Sequence, residues 1–228
     1  MSFAPGVTME LVPGDVISDD IAFAGVYELA LTRRVVELAR IGGTMVEVGA
    51  NLGYFTLLWT ATNPTNACFA LEPSPRNIEI LQRNVARNGL ASRVQIVPRA
   101  AGATRGRLKF DIGPEDQTGW GGFTADPGSR TIDVDVVRID EFIGPTTAIA
   151  LLKIDTEGAD TWALEGCAGL LKARRVGEIW YEQNKPRMQA LGVPLKAAEQ
   201  YLASCGYRAE PQSDLAGDTV EWTARPTN

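Results

Sequence analysis

Met45-Val46-Glu47-Val48-Gly49-Ala50-Asn51-Leu52-Gly53-Tyr54-Phe55-Thr56 decides the fold. A short β-type run carries an acid, passes into a small-residue turn and then starts a helix. A second apolar run, Ala67-Cys68-Phe69-Ala70-Leu71, ends in Glu72 and Pro73. A ligand lying between two such strand ends would meet backbone N–H groups at the first and a carboxylate at the second. That arrangement suits a nucleoside with a polar tail, bound across the carboxyl edge of a parallel sheet.

Working outward, apolar runs alternate with helical patterns. Val26 to Arg40 has helical spacing and is stopped by Gly42-Gly43. Thr44–Val48 reads as a strand, Phe55–Ala61 as a helix, Ala67–Leu71 as a strand and Pro75–Asn88 as a helix with Pro75 in its first turn. Val94–Pro98, Ala148–Ile154 and Val176–Tyr181 read as strands, and Thr161–Leu171 and Lys196–Ser204 as helices. This predicts an α/β fold, a mostly parallel sheet with helices on both faces. Tyr207–Glu210 and Thr219–Ala224 flank a turn and predict a terminal antiparallel pair. Leu108–Ile112 and Ile132–Val137 read as strands around Gly113–Arg130, a loop long enough to suggest function or disorder. The expected organisation is an N-terminal arm over residues 1–25, as extended chain or short strands, followed by one domain over 26–228.

The 228 residues suffice to bury a full core. A hydrophobic content of 45% and a charged content of 22% are ordinary for a soluble globular chain. The formal net charge of −6 has the wrong sign for tracking phosphates, so no nucleic-acid partner is expected. No run approaches membrane-spanning length and no signal peptide is read, so no membrane partner is expected. Three scattered cysteines, Cys68, Cys167 and Cys205, argue against a disulfide framework and fit a reducing cytoplasm. Histidine is absent. That removes Ser/His/Asp and Cys/His nucleophiles and histidine-based zinc sites. Acid–base work must fall to Asp, Glu, Lys, Tyr or solvent.

The turn Gly49-Ala50-Asn51-Leu52-Gly53 breaks the dinucleotide fingerprint, because Asn51 stands at its second glycine and Tyr54 at its third. A looser turn suits a ligand without pyrophosphate, although a plain β–α turn would also use such glycines. Glu72 follows Gly49 at about the 20-residue spacing of a ribose-binding acid. A carboxylate can accept from both ribose hydroxyls, and the same acid could instead cap the helix after Pro73. Lys153-Ile154-Asp155-Thr156-Glu157-Gly158 places charges at the carboxyl end of a further strand, where such sheets bind ligands. Its bland alternative is a structural Lys153–Asp155 pair, with Glu157 and Asp160 complementing a helix dipole. Glu182-Gln183-Asn184-Lys185-Pro186 closes the next strand and reads equally as a polar turn. Trp120 among Gly119, Gly121 and Gly122 is either a lid or a packed anchor. Trp59 and Trp162 read as core.

In this order the motifs resemble the FkbM family of S-adenosylmethionine-dependent methyltransferases. The likeness is carried by Glu47–Thr56, by Ala70-Leu71-Glu72-Pro73-Ser74-Pro75, by Leu81–Leu90, by Val97–Gly102 and by Leu151–Asp160, and it covers roughly Asp15 to Glu182. It implies the class I methyltransferase (Rossmann-like) fold, a seven-stranded sheet with one antiparallel strand. It implies S-adenosylmethionine as cofactor and S-adenosylhomocysteine as product. The cofactor-binding residues it implies are Glu47, Gly49, Asn51, Gly53, Tyr54, Glu72, Pro73, Ala100, Ala101 and Asp155. Asp155, Glu157 and Lys153 would face the transfer zone as catalytic residues. A divalent metal is not demanded. The implied acceptor is a small-molecule hydroxyl, on a sugar or secondary metabolite. Many relatives similar to this chain place a histidine soon after the acid at Glu182, whereas Gln183 and Asn184 follow here, so histidine is excluded as the base and the residues do not single out another. Two other classes stay open: a nicotinamide-dependent oxidoreductase, against which the broken fingerprint speaks, and a catalytically silent nucleoside-binding module. The oligomeric state is not legible.

Overall fold

The computed structural model describes residues 1–128, 130–144 and 146–227. In chain order its elements are α1 (Val16–Ala24), α2 (Leu29–Ile41), β1 (Thr44–Val48), α3 (Tyr54–Thr62), β2 (Ala67–Leu71), α4 (Pro75–Arg87), β3 (Val94–Val97), β4 (Ala100–Ala101), β5 (Gly106–Asp111), β6 (Gly122–Phe123), β7 (Thr131–Val137), β8 (Ile149–Ile154), α5 (Asp160–Glu165), α6 (Ala168–Lys172), β9 (Val176–Asn184), α7 (Lys185–Ala190), α8 (Ala197–Ser204), β10 (Tyr207–Pro211) and β11 (Thr219–Pro226).

Seven strands form the main sheet in the order β10-β11-β9-β8-β1-β2-β3. β1 pairs in parallel with β2 and β8, and β8 in parallel with β9. β11 runs antiparallel to both β9 and β10, so it is the one reversed strand of the expected fold. Alternation along β1 sends Val46 and Val48 into one hydrophobic cluster and Met45 into the other, which is why the sheet is covered on both faces. Order reverses between β8 and β1, and that switch point opens a crevice beyond the carboxyl ends of the strands. A four-stranded sheet, β4-β7-β5-β6, packs beside it around Phe110, Phe123 and Val136.

Several boundaries differ from the sequence reading. The N-terminal segment is not an extended arm throughout: Val16–Ala24 is a helix, because Asp15 accepts from Ser18 N at 2.9 Å and caps it. Ala4, Val7 and Ile21 are buried with Val35 and Leu57. Helix α2 starts at Leu29 rather than Val26, since Glu28 takes a left-handed φ of 44°. The Thr161–Leu171 helix is two, because a Cβ at Gly166 would stand 2.5 Å from the Gly102 carbonyl and the chain turns there. Residues Glu182–Asn184 are strand rather than turn. β11 continues to pair with them, with Glu182 opposite Glu221 and Asn184 opposite Thr219. Trp59 is buried as expected, and Trp162 is half-buried with its ring centroid 5.9 Å from that of Phe123. The three cysteines are free and buried. Among the described residues no helix is long and apolar enough to cross a membrane.

Candidate active site

The turn after β1 is built by the chain's own hydrogen bonds. Gly49 N and Ala50 N both donate to the Leu71 carbonyl, at 3.0 and 2.9 Å, and Gly53 N donates to the Ala50 carbonyl at 2.8 Å. Asn51 N donates to Glu72 Oε2 at 2.8 Å. Four of the turn's N–H groups, those of Gly49, Ala50, Asn51 and Gly53, are thus taken within the protein, and there the turn contributes shape instead. Gly49 (φ 81°) lies so close to β8 that a Cβ would stand 1.9 Å from the Asp155 carbonyl oxygen. Only glycine lets the two strand ends approach this closely.

Glu72 stands opposite that turn, 4% exposed. Its Oε1 accepts from Ser74 N at 2.9 Å and its Oε2 from Asn51 N, leaving each oxygen a further acceptor site. Burial raises its pKa to about 7, against the pull of those two backbone donors. Between Glu72 and the β8 end lies a cavity of about 240 Å³, far beyond the ~30 Å³ share of one water molecule. Asn51 Oδ1, Ser74 Oγ, Asn77 Oδ1 and Thr118 Oγ1 are buried without a partner, and all four residues line this cavity. Unsatisfied buried acceptors and hydroxyls beside a carboxylate fit a ligand with several hydroxyl and amino donors.

At the middle of the cavity Glu47 is 1% exposed and accepts from Thr56 Oγ1 at 2.5 Å. Burial raises its pKa to about 7, and the Lys153 charge opposes that rise. Lys153 Nζ lies 3.2 Å from Asp155 Oδ2 and 5.1 Å from the Phe55 ring centroid. Burial alone would lower the Lys153 pKa; Asp155, Glu47 and Glu28 outweigh it and hold the ammonium protonated. Beyond Asp155 the wall turns acidic. Glu157 accepts from Asn184 Nδ2 at 2.7 Å, and burial with the Asp155 charge raises its pKa to about 7. Burial and nearby carboxylates raise Asp160 to about 8 and Glu182 to about 10. Among the described residues no group of three or more Cys, Asp and Glu side chains is arranged to hold a metal ion.

Glu47, Gly49, Asn51, Tyr54, Glu72, Pro73, Ala100, Ala101, Lys153, Asp155 and Glu157 all line this one cavity. Gly53 does not: it starts α3 with φ 94°, and a Cβ there would stand 2.5 Å from Leu81 Cδ1. Sequence reasoning missed the cover. Ile17 and Ile21 from α1 and the Tyr27 ring line the cavity, and Tyr27 meets Tyr54 edge-on at 6.2 Å. The Asp15-x-x-Ser18 capping pattern was the available signal for α1. The loop after β5 is pinned over the cavity. Arg76 donates to the carbonyls of Ile112, Pro114 and Gln117, Asn77 Nδ2 donates to that of Thr118, and Asp15 Oδ1 accepts from Thr118 N at 2.8 Å. Trp120 lines the cavity while staying 53% exposed, closer to the lid reading than to a packed anchor.

Comparison with known proteins gives a consistent result. The methyltransferase FkbM domain model matches residues 47–209. Methyltransferase sdnD of Sordaria araneosa is 26% identical over 196 residues, 70% of this chain and 76% of that protein. The 31-O-demethyl-FK506 methyltransferase FkbM of Streptomyces tacrolimicus is 30% identical over 164 residues, 59% of this chain and 62% of that protein. The SAH-bound Podospora anserina methyltransferase PaMTH1 superposes with a TM-score of 0.53 at 12% identity, over 90% of this chain and 81% of that one, a likeness of fold. With the reversed β11 and the crevice at the β8–β1 switch point in place, the match across most of the sheet makes the chain a member of the methyltransferase FkbM domain family, S-adenosylmethionine-dependent methyltransferases of the class I fold.

Proposed function

We propose that this chain transfers a methyl group from S-adenosylmethionine to a hydroxyl of a small molecule. The observation that carries the reading is a single cavity with a nucleoside-type carboxylate, Glu72, at one end and the acids Asp155, Glu157 and Glu182 at the other. When bound, the cofactor supplies an electrophilic methyl on a sulfonium. Glu72 accepts the two ribose hydroxyls, and Asn51, Ser74, Asn77 and Thr118 present the partnerless polar atoms described above. Glu47 and the Gly49–Gly53 turn would hold the amino-acid end, with the Lys153 ammonium 3.2 Å from Asp155 Oδ2 and opposing the rise that burial gives the Glu47 pKa.

The acceptor's hydroxyl proton needs a base within hydrogen-bond reach, and no histidine is present to be one. Asp155 or Glu157 takes that role, and a Glu157 pKa of about 7 suits a group that holds the proton briefly and returns it to solvent. Alignment and the exclusion of water supply the rest, through Tyr27, α1 and Trp120 over the mouth.

The test is incubation with methyl-labelled S-adenosylmethionine and a panel of hydroxylated sugars and polycyclic natural products, each with its amino analogue. Label should pass to hydroxyl compounds and not to the amines. In Asp155→Asn, turnover should fall about a hundredfold with the melting temperature little changed. Transfer to the amines alone would overturn the assignment, and full turnover in Asp155→Asn would remove Asp155 from the mechanism and leave the role to Glu157.

A further inference from the structure

Arg187 stands in the first turn of α7, outside every motif read from the sequence, yet it meets the site from two directions. Its Nη2 donates to the Trp120 carbonyl at 2.9 Å. Its Nε lies 3.8 Å from Glu157 Oε2, the oxygen that also accepts from Asn184 Nδ2. Asn184 in turn caps α7, its Oδ1 accepting from Arg187 N at 3.3 Å. Packing leaves these groups little freedom. Glu157 (φ 54°) and Gly158 (φ 92°) are both left-handed, and a Cβ on Gly158 would stand 2.7 Å from Arg187 Cβ and from Met188 N. A Cβ on Gly122 of β6 would stand 3.1 Å from Glu157 Cβ and 3.3 Å from Arg187 Nη1. The β8–α5 turn, the start of α7 and β6 therefore converge on one carboxylate.

We propose that Arg187 is a positioning residue that clamps Glu157 and the Trp120 segment together, so that one guanidinium sets both the loop over the cavity and the carboxylate in its wall. The proposal rests on reading Glu157 as a proton-holding group in methyl transfer. The charged groups facing Glu157 are Asp155 and Asp160 from its own segment, Glu182 from β9, and Arg187. Burial and Asp155 raise its proton affinity; Arg187 and Asn184 restrain the rise. Removing the guanidinium leaves only negative neighbours among these four, so Glu157 should hold its proton to higher pH.

The test needs no acceptor. Glutamate is labelled with ¹³C at the carboxyl carbon, and the Glu157 resonance is assigned by its loss in Glu157→Gln. Its titration midpoint should rise by about one pH unit in Arg187→Met and in Arg187→Gln, and return toward the wild-type value in Arg187→Lys. Amide exchange over Gly119–Phe123 should quicken in Arg187→Met and much less in Arg187→Gln, which keeps a donor for the Trp120 carbonyl. If the methionine variant does not fold, the glutamine variant carries the titration alone. A midpoint that stays at the wild-type value in the folded variants overturns the proposal. The heat of S-adenosylhomocysteine binding to the wild type is measured in parallel. Its absence would defeat the methyltransferase reading of the site, whereas the midpoint judges the clamp by itself.

Discussion

Gly49 and Asp155, on either side of the crevice, set how closely the ends of β1 and β8 approach. Gly49 is there because the Asp155 carbonyl leaves no room for a side chain, so Gly49→Ala must push β8 away from the turn. Strain at a positive φ and overpacking together should cost about 3 kcal/mol or more, read from chemical denaturation. Lys153 is the ammonium that burial would discharge and that its carboxylate neighbours keep charged. Lys153→Met leaves Asp155 and the buried Glu47 without it, and the Glu47 carboxyl should then hold its proton above about pH 7, a shift carboxyl NMR would read. The place of Glu72 at a strand end facing the turn was legible from spacing, since strand–turn–helix–strand length sets where an opposing acid must stand, while its role stayed open between ribose acceptor and helix cap. Tyr27 was not legible, because nothing within a few residues of it says that the chain will fold back across Tyr54.

Elements whose ends are set locally were read to within a residue or two, and those set by a distant partner were not. β1 and β2 match the sequence reading residue for residue, their apolar runs being bounded by glycine, proline or an acid. β9 was cut short at Tyr181 because Glu182, Gln183 and Asn184 look like a turn until β11 supplies their ladder. The loop after β5 shows the same dependence. Its length suggested function or disorder, and Arg76, Asn77 and Asp15 hold its backbone from two helices. Asp15 joins two of these elements, capping α1 and holding Thr118 N. Asp15→Ala should cost about 1–2 kcal/mol and speed amide exchange over Gln117–Trp120, seen by hydrogen-exchange mass spectrometry. Unchanged exchange would mean that α1 does not hold the loop.

Across the whole molecule the alternation of strand and helix was enough to predict the parallel sheet, the turn before Thr219 predicted the terminal antiparallel pair, and the family resemblance added the count of seven. Two strands of the separate four-stranded sheet were read, at Leu108–Ile112 and Ile132–Val137, but their assembly into a sheet was not, because β4, β5 and β7 pair across long gaps in sequence. The sheet also gathers buried carboxyls at one edge, and this sets the response to pH. Glu47, Glu72 and Glu157 (pKa about 7), Asp160 (about 8) and Glu182 (about 10) bind protons in the folded state after the unfolded chain has released them. Each therefore favours the fold at low pH, and that contribution drains away as pH rises from about 4.5 through the folded pKa. Glu178 opposes this at the acid end: despite burial, Arg34 and Arg225 hold it below its usual value, and its contribution is lost as pH falls through that lowered pKa. The melting temperature without ligand should thus be higher near about pH 5.5 than near about pH 8, and fall again below about pH 4. All of these readings assume that the edge was built around a nucleoside. Calorimetry with S-adenosylhomocysteine, on the wild type and on a folded Glu72→Ala variant, tests that most directly. Loss of two hydrogen bonds to a charged acceptor predicts saturable heat in the first and affinity about a hundredfold weaker in the second. No heat with the wild type, or equal affinity in both, would contradict it.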